Sequence, residues 1–355
     1  MPAVSDRVPA GSGSLPQGSA PAPADAEPMP PSVTRAAVGV DLGGTKIAAA
    51  VVDEHARILA RATVATPAQE GPAAVLDAAA ESVRQALRSA PVPDTAVLGV
   101  GIGSAGVIDP VRGTVVSATS ALKDWAGTAL CAELAARLRG EIPALGGPGS
   151  CLAVNDVHAH ALGEAHAGAA RGAASALLVA FGTGVGGCFV LNGRVLTGHR
   201  SAAGHLGHLP SPAAAGIPCT CGAQGHLEAV ASGPAVHAAF VRSVRDAAPA
   251  DTRGVFELAR AGSPEARRII GTAAAAAGEA LAGVANTLDP EAVVISGGLA
   301  GSGELWWTPL RQAFAAGLIP ALRDLEPVPA ALGPDAAVLG AASLILNPSA
   351  PEEIP

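Results

Sequence analysis

Two glycine-rich turns, each set between two apolar strands, constrain the fold of this 355-residue chain more than any other feature. The first pattern predicts strands over residues 36–41 and 47–53, and the second predicts a strand, a turn and a strand over 174–190. About 140 residues separate the two turns, and each precedes a stretch of mixed α and β patterns. The repeat predicts a duplicated α/β architecture with two halves that face each other across a cleft.

The turn between the first two strands has residues that suit a phosphate group. Gly43 and Gly44 let the backbone approach a phosphate closely, while Thr45 and Lys46 offer a hydroxyl and a cation. Asp41, at the end of the preceding strand, is a candidate to hold Mg²⁺ through water. The spacing and the following helix of a Walker loop are missing. A plain glycine hairpin is the alternative for this segment alone.

The second turn, Gly182-Thr183-Gly184, repeats the pattern of glycine and threonine. Opposed phosphate loops of this kind suit a nucleoside triphosphate held between two halves. A GxGxxG spacing occurs at 101–106 and at 182–187, which is typical of dinucleotide-binding folds when a helix follows. A strand is predicted after both, so an NAD(P)-dependent oxidoreductase is only a distant alternative.

Asn155-Asp156 lies where a short apolar strand is followed by an alanine-rich helix over 157–167. A carboxylate is favoured at that position by the helix dipole and by the free backbone N–H groups. An ordinary helix cap is the alternative. His158 and His160 are expected on the surface of the helix, although His160, one turn beyond Asp156, is close enough to reach the cleft.

A group of metal-ligand residues follows the second hairpin. His208, Cys219, Cys221 and His226 supply two thiolates and two imidazoles, which predicts a tetrahedral structural zinc site. Cysteines and histidines scattered without a metal are the alternative. Such a metal would order its loop and help to orient His205 and Glu228.

The last third of the chain predicts a nucleotide contact and a returning helix. A long helix is predicted over 264–287 with Ser263 as its N-cap. A buried strand over 292–296 then meets Gly297-Gly298, where an adenosine group is able to pack against bare backbone. A final helix over 335–346 is expected to cover the first half.

These patterns divide the chain into two lobes and two tails. Residues 1–34 and 348–355 are poor in large apolar side chains, so they are predicted to be disordered. Residues 35–153 with 335–347 are predicted to form a small α/β lobe, and residues 154–334 a large lobe that carries the zinc loop. The first tail leaves no room for a helix-turn-helix, so we expect no DNA-binding role.

Composition narrows the classes of partner. A net charge of −8 gives no reason to expect nucleic acid or an anionic membrane. No apolar stretch is expected to reach the ~18 residues that span a bilayer, and no signal pattern is seen. The five cysteines do not form the pattern of a disulfide framework. A cytoplasmic protein is expected.

In order along the chain, the motifs DLGGTK, NDxxxxxLGE, GTGVGG, AGHLGH, CxCGxxGH followed by LE, and ISGG resemble those of the ROK family of sugar kinases and repressors. The resemblance covers nearly all of residues 36–345. It implies a two-lobed actin/hexokinase-like (ribonuclease H-like) ATPase fold, a homodimer, ATP with Mg²⁺, and structural Zn²⁺. It makes Asp156 the general base on a sugar hydroxyl. It also makes Asn155, His208 and Glu228 sugar ligands, places Asp41 near Mg²⁺ and puts Gly182–Gly184 at the ATP phosphates.

Three positions depart from the family pattern. The family's zinc ligands are commonly one histidine and three cysteines, and His226 stands in place of the third cysteine, where we expect a neutral imidazole to replace the thiolate. Ser120 falls near the family's sugar-binding asparagine. His205 replaces the glutamate of most glucose-directed members, as in bacterial N-acetylmannosamine kinases.

We therefore expect phosphorylation of the 6-hydroxyl of a hexose or N-acetylhexosamine. N-acetylmannosamine is favoured, and glucose or N-acetylglucosamine is the alternative. A sugar-binding regulator without turnover is the second alternative.

Overall fold

The computed structural model describes residues 35–244 and 249–347, which belong to one compact unit. The two tails predicted to be disordered lie outside the described residues. Within the described ranges, the strands form two five-stranded sheets and a separate two-stranded hairpin.

The first sheet has the spatial order β3-β2-β1-β4-β7, and the hairpin of β5 and β6 precedes its last strand. The elements, in chain order, are β1 (Ala36–Leu42), β2 (Lys46–Asp53), β3 (Ile58–Ala65), α1 (Pro72–Ser89), β4 (Val97–Ser104), β5 (Val107–Asp109), β6 (Thr114–Ser117), α2 (Leu130–Leu138), β7 (Cys151–Asn155) and α3 (Asp156–Ala167). β1 pairs antiparallel with β2 and parallel with β4, and β4 pairs parallel with β7.

The second sheet has the order β10-β9-β8-β11-β12. The elements are β8 (Ser175–Phe181), β9 (Val185–Leu191), β10 (Arg194–Val195), α4 (Glu228–Ala231), α5 (Gly233–Ser243), α6 (Thr252–Arg260), α7 (Pro264–Leu288), β11 (Ala292–Ser296), α8 (Glu304–Gly317), β12 (Pro327–Pro329) and α9 (Ala336–Leu346). β8 pairs antiparallel with β9 and parallel with β11, and β11 pairs parallel with β12. Both sheets thus have the same strand order, as the two glycine turns predict.

Helix α3 follows the last strand of the first sheet, and helix α9 follows the last strand of the second sheet. The two helices pack against each other, and α9 also packs on the first sheet while α3 packs on the second. Val338 and Ala342 of α9 join the buried cluster on the first sheet. Ala161 of α3 packs with Leu178 and other side chains of the second sheet. The two helix backbones come so close that a Cβ on Gly340 would overlap the Ala159 carbonyl. The final helix therefore returns to the first sheet as predicted. The lobe boundaries at 153/154 and 334/335 stay a prediction.

Helix α7 corrects one expectation from composition. It begins as predicted, with the Ser263 hydroxyl 3.3 Å from the Ala266 amide that it caps. Its 25 residues are long and apolar enough to cross a membrane by length and composition, contrary to the expectation that no segment reaches that threshold. Alanine raises its mean hydropathy while leaving side chains small enough for close packing. The helix packs in the interior against Trp306 and Phe314, and a buried core helix passes the same test.

Helix α2 has no side-chain cap at its start. Ala129 has a non-helical backbone (φ −79°, ψ 65°), so the first helical residue is Leu130. The Thr128 hydroxyl instead donates to the Trp125 carbonyl at 2.7 Å.

Candidate active site

A polar cavity of about 340 Å³ lies at the end of β7 and the start of α3. Its lining brings together most of the residues that the sequence singled out around Asp156. These are Asn155, Asp156, Gly182, Thr183, Gly184, His205, His208 and Glu228, with Gly106, Val107, Val157, His158, Ala180, Val185, Gly186, Gly187, Ser201, Ala203 and Gly204. The predicted sugar and phosphate ligands therefore share one cavity, with the exceptions given below.

Asp156 is held at the cavity because β7 passes directly into α3. Asn155 caps the helix: its Oδ1 accepts from the Val157 amide, and its Nδ2 donates to the Gly106 carbonyl, both at 2.9 Å. The Val157 N–H also lies 2.9 Å from Asp156 Oδ1. The start of α3 therefore has a helix cap, supplied by Asn155, and beside it a carboxylate that faces a cavity. The capping interpretation and the functional interpretation of Asn155-Asp156 do not exclude each other.

The burial of Asp156 makes its carboxylate a stronger base than usual. Burial raises the pKa of Asp156, and the hydrogen bond from Val157 together with the charge of His160 opposes that rise. Burial also raises the pKa of Asp41, and the charge of Asp156 adds to it, while His160 and Lys46 lower it. The His160 Nδ1 lies 3.0 Å from the Asp156 carbonyl oxygen. Two carboxylates and one imidazole therefore act on one another at this point.

His158 is buried, so its predicted surface position on α3 is wrong. Only 5% of the residue is exposed, and burial lowers the pKa of its imidazole to about 4. The ring is therefore neutral near pH 7, and it donates a hydrogen bond to the backbone of Ala203. The pattern of polar residues along α3 does not indicate that His158 is buried, because its partner Ala203 lies 45 positions further along the chain.

The segment that carries His205 and His208 is pressed against β9. Gly204 has φ +90°, and a Cβ there would overlap the Gly187 carbonyl. The Gly187 amide donates to the Gly204 carbonyl at 2.7 Å. The rings of His205 and His208 stack with centroids 6.1 Å apart. This close approach and the positive φ angle require a glycine at position 204.

Glu228 joins the second glycine turn to the cysteine-containing loop. Its Oε2 accepts from the Val185 amide at 2.9 Å, and its Oε1 accepts from the Thr220 hydroxyl at 2.6 Å. Both carboxylate oxygens are thus fixed from opposite sides. Each retains a second lone pair for a ligand in the cavity.

The four predicted metal ligands come together. The ligand atoms of His208, Cys219, Cys221 and His226 all lie within 4.8 Å of one another. Cys219 Sγ is 3.7 Å from His208 Nδ1, and Cys221 Sγ is 3.3 Å from His226 Nδ1. A tetrahedral zinc ion with bonds of about 2.0–2.3 Å separates its ligand atoms by similar distances. The residues therefore fit zinc, and Nδ1 binding would leave the His208 Nε2 for the cavity.

A second cavity of about 820 Å³ adjoins the first at Gly182 and Thr183, which line both. Its other lining residues come from the start of α5, from α6 with its N-cap and from the segment after β11, and they are Gly233, Pro234, Asp251, Thr252, Arg253, Phe256, Glu257, Arg260, Gly298, Leu299, Gly301 and Ser302. The Gly182 carbonyl accepts from the Gly233 amide at 2.8 Å, which fixes the turn between the cavities. Sequence reasoning missed the part of this wall that α6 supplies.

Some predicted residues lie outside both cavities. The turn Gly43–Lys46 lies at the tip of the first hairpin with Thr45 and Lys46 exposed. Gly297 packs on the backbone of Phe181, and only its neighbour Gly298 lines the second cavity. Ser120 is exposed and lines a separate cavity of about 350 Å³ with Lys123. Its assignment as a sugar ligand stays a prediction that this placement does not support.

The two equivalent sheets, the carboxylate in the first cavity and the glycine turn that the two cavities share define an α/β protein of the phosphoryl-transfer class. The chain belongs to the ROK family, whose sequence profile matches residues 37–347. It is similar to the glucokinase of Thermotoga maritima, with 33% identity over 324 residues, 87% of this chain and 96% of the relative. It is equally similar to the N-acetylmannosamine kinase of Citrobacter koseri, with 35% identity over 311 residues, 87% of this chain and 98% of the relative.

A solved structure confirms the class of fold. The chain matches the crystal structure of a ROK family glucokinase from Streptomyces griseus, in complex with glucose and AMPPNP, with a TM-score of 0.69 and 33% identity. The match covers 87% of this chain and 99% of the other. The chain therefore has the mixed α/β, actin/hexokinase-like fold of ROK sugar kinases.

Proposed function

We propose that this protein transfers the γ-phosphoryl group of ATP to the 6-hydroxyl of a hexose or N-acetylhexosamine, with Asp156 as general base. It is an ATP-dependent sugar kinase, since its relatives in the ROK family are named as kinases for sugars. The observation that carries the assignment of roles is the position of Asp156. Its carboxylate lies at a helix start, in a cavity that adjoins a larger one across the Gly182–Thr183 turn.

The sugar occupies the smaller cavity in this proposal. Glu228 and Asn155 offer oxygen and amide groups to its hydroxyls, and His208 offers the nitrogen that does not face Cys219. Asp156 takes the proton of the 6-hydroxyl as that oxygen attacks the γ-phosphorus in line. Burial supports this role, because it raises the pKa of Asp156 and a stronger base accepts the proton more readily.

ATP occupies the larger cavity, with its phosphates at the turn shared by both. The backbone of Gly182–Gly184 faces the phosphates, and Gly298 packs near the adenosine. Asp41 fits a role near Mg²⁺, since it is an oxygen ligand beside a second carboxylate whose repulsion a cation would relieve. Mg²⁺ bound with ATP would offset charge on the transferring group. Closure of the lobes would bring Gly43–Lys46 to the phosphates.

We favour N-acetylmannosamine as the substrate and keep glucose, or N-acetylglucosamine, as the alternative. His205 lines the sugar cavity where most glucose-directed members of the family have a carboxylate. An imidazole is able to donate to an acetamido carbonyl, which an ionised carboxylate cannot do. The similar identities to a glucokinase and to an N-acetylmannosamine kinase leave both sugars as candidates. Structural zinc, a homodimer and a cytoplasmic location complete the proposal.

ATP-dependent phosphorylation of N-acetylmannosamine, N-acetylglucosamine, glucose and mannose tests this proposal. The highest kcat/KM is expected for N-acetylmannosamine. Equal or better turnover of glucose would overturn the choice of substrate and leave the kinase intact. Binding of a sugar with no turnover of any of the four would instead favour a regulator without catalysis.

A further inference from the structure

The hydroxyl of Thr220 connects the metal-ligand loop to the carboxylate of Glu228. Thr220 lies between the two cysteines of the predicted zinc site. Its Oγ1 donates to Glu228 Oε1 at 2.6 Å. A hydroxyl bonded to an ionised carboxylate at this distance is a strong, charge-assisted hydrogen bond.

Glu228 needs such a partner because its other contacts fix only one end of the carboxylate. Oε2 is held by the Val185 amide at the second glycine turn. Without the Thr220 hydroxyl, the Val185 hydrogen bond alone would restrain rotation about the χ3 angle of Glu228, which has a broad preference. The sugar cavity would then lose an oxygen at a defined place, although the residue itself would still line it.

The metal-ligand cluster defines where the Thr220 hydroxyl lies. Cys219 and Cys221 flank it directly, and the distances within the cluster fit one tetrahedral ion. An ion there would hold both neighbours of Thr220 in place, so the hydroxyl would face Glu228 without further loss of chain entropy on sugar binding. His208 connects the metal-ligand cluster to the sugar cavity independently of Thr220, because it belongs to both.

We propose that Thr220 is a positioning residue through which the zinc loop fixes Glu228 in the sugar cavity, so that zinc in the loop tightens sugar binding through this hydroxyl. The inference rests on the proposed function, since it assigns the cavity to a sugar. It concerns sugar affinity and not phosphoryl transfer itself, because Thr220 does not line the cavity that holds Asp156.

The test compares Thr220→Val, which keeps the shape and removes the hydroxyl, with Thr220→Ser, which keeps the hydroxyl. Binding of N-acetylmannosamine and of glucose is measured by calorimetry, beside KM for sugar, KM for ATP and zinc content. Thr220→Val is expected to weaken sugar binding about three- to tenfold, a fraction of one charge-assisted hydrogen bond. KM for ATP and zinc content should be unchanged, and Thr220→Ser should bind within about twofold of the wild type.

Removal of zinc with a chelator supplies the second arm. If the hydroxyl acts through the ordered loop, wild type and Thr220→Val should bind sugar equally weakly once zinc is removed, and added Zn²⁺ should restore only the wild-type affinity in full. Thr272→Val is the matched control, because this exposed hydroxyl bonds within helix α7 to the Arg268 carbonyl. It should change neither sugar binding nor zinc content.

Four results would overturn the inference. They are unchanged sugar affinity in Thr220→Val, an equal rise in KM for ATP, loss of zinc from that variant, and a Thr220→Ser variant as weak as Thr220→Val. These failures are distinct from failure of the proposed function, in which the wild-type protein would bind and phosphorylate none of the sugars. A wild-type protein that binds and phosphorylates none of the sugars would overturn the proposed function and this inference together.

Discussion

The starts of α3 and α9 occupy equivalent positions in the two sheets, yet their aspartates have different surroundings. Asp156 begins α3 and lines the cavity of about 340 Å³, while Asp335 precedes α9 and forms a two-pronged ion pair with the exposed Arg61. β7 ends at the residue before Asp156, so the carboxylate stays at the end of the sheet. Six residues separate β12 from α9, and they carry Asp335 to Arg61 on β3. Duplication thus provides two strand–helix joints, and the length of the connection separates their roles.

The connection before α9 has its own anchor. Glu164, near the end of α3 and 1% exposed, accepts from three backbone amides. Its Oε2 receives Ala169 at 2.7 Å and Ala331 at 3.0 Å, and its Oε1 receives Leu332 at 2.8 Å. Glu164, which ends the NDxxxxxLGE motif, therefore holds the end of α3 against the connection before α9. It stabilises the fold, whereas Asp156 lines the cavity.

The largest effect is expected for Asp156→Asn, and Asp335→Asn provides the comparison. Asp156→Asn should lower kcat by about 10²–10⁴-fold, because general-base catalysis is worth that much, and should leave sugar binding within a fewfold of the wild type. Asp335→Asn is the matched control and should leave kcat within about twofold, since an exposed ion pair contributes little. Steady-state kinetics and calorimetry measure both. Similar losses in the two variants would remove the distinction between the joints.

Glu164→Gln should be the most damaging change for stability. The amide replaces one acceptor oxygen by a donor that faces a backbone N–H, so the free energy of unfolding should fall by about 1.5–3 kcal/mol. Urea denaturation measures it, with the exposed ion-paired Glu265→Gln as control. A variant as stable as the control would show that Glu164 does not anchor the connection.

The pH dependence of kcat tests the charges at the first joint. Asp156 must be ionised to accept a proton, so kcat should fall as pH drops through its raised pKa. His160 lowers the pKa of Asp156, so His160→Gln should move the acid limb of kcat to higher pH. His166→Gln, at the far end of α3, should not move it. A shift to lower pH would contradict the assignment of the acid limb to Asp156.

The smallest effect is expected at the second joint. Arg61→Gln removes the partner of Asp335, and because the guanidinium is 58% exposed the loss of stability should be about 1 kcal/mol or less. Activity should not change. A large loss of kcat in this variant would mean that the α9 joint takes part in catalysis after all.

Much of this arrangement was predictable from local patterns. The glycine turns, the start of α3 at Asp156 and the Ser263 cap of α7 follow from residues adjacent in the chain. The cluster of His208, Cys219, Cys221 and His226 follows from residue type and spacing, because thiolates and imidazoles so close in sequence are brought together by one loop. The Ala331 and Leu332 partners of Glu164 were not predictable from local patterns, because they lie 167 and 168 residues further along the chain. The α6 part of the second cavity's wall was not predictable either, because α6 is separated from the second glycine turn by other helices and strands.

The sequence alone determined which elements form, their order and the types of side chain that the site contains, since short-range periodicity and turn chemistry control these properties. Only the tertiary structure decided which of two similar aspartates faces a cavity and which histidine of α3 is buried. Burial and electrostatics depend on the packing of one sheet against helices from the other half of the chain. A local pattern therefore carries the identity of a chemical group, and the packing around it determines its pKa and its access to a ligand.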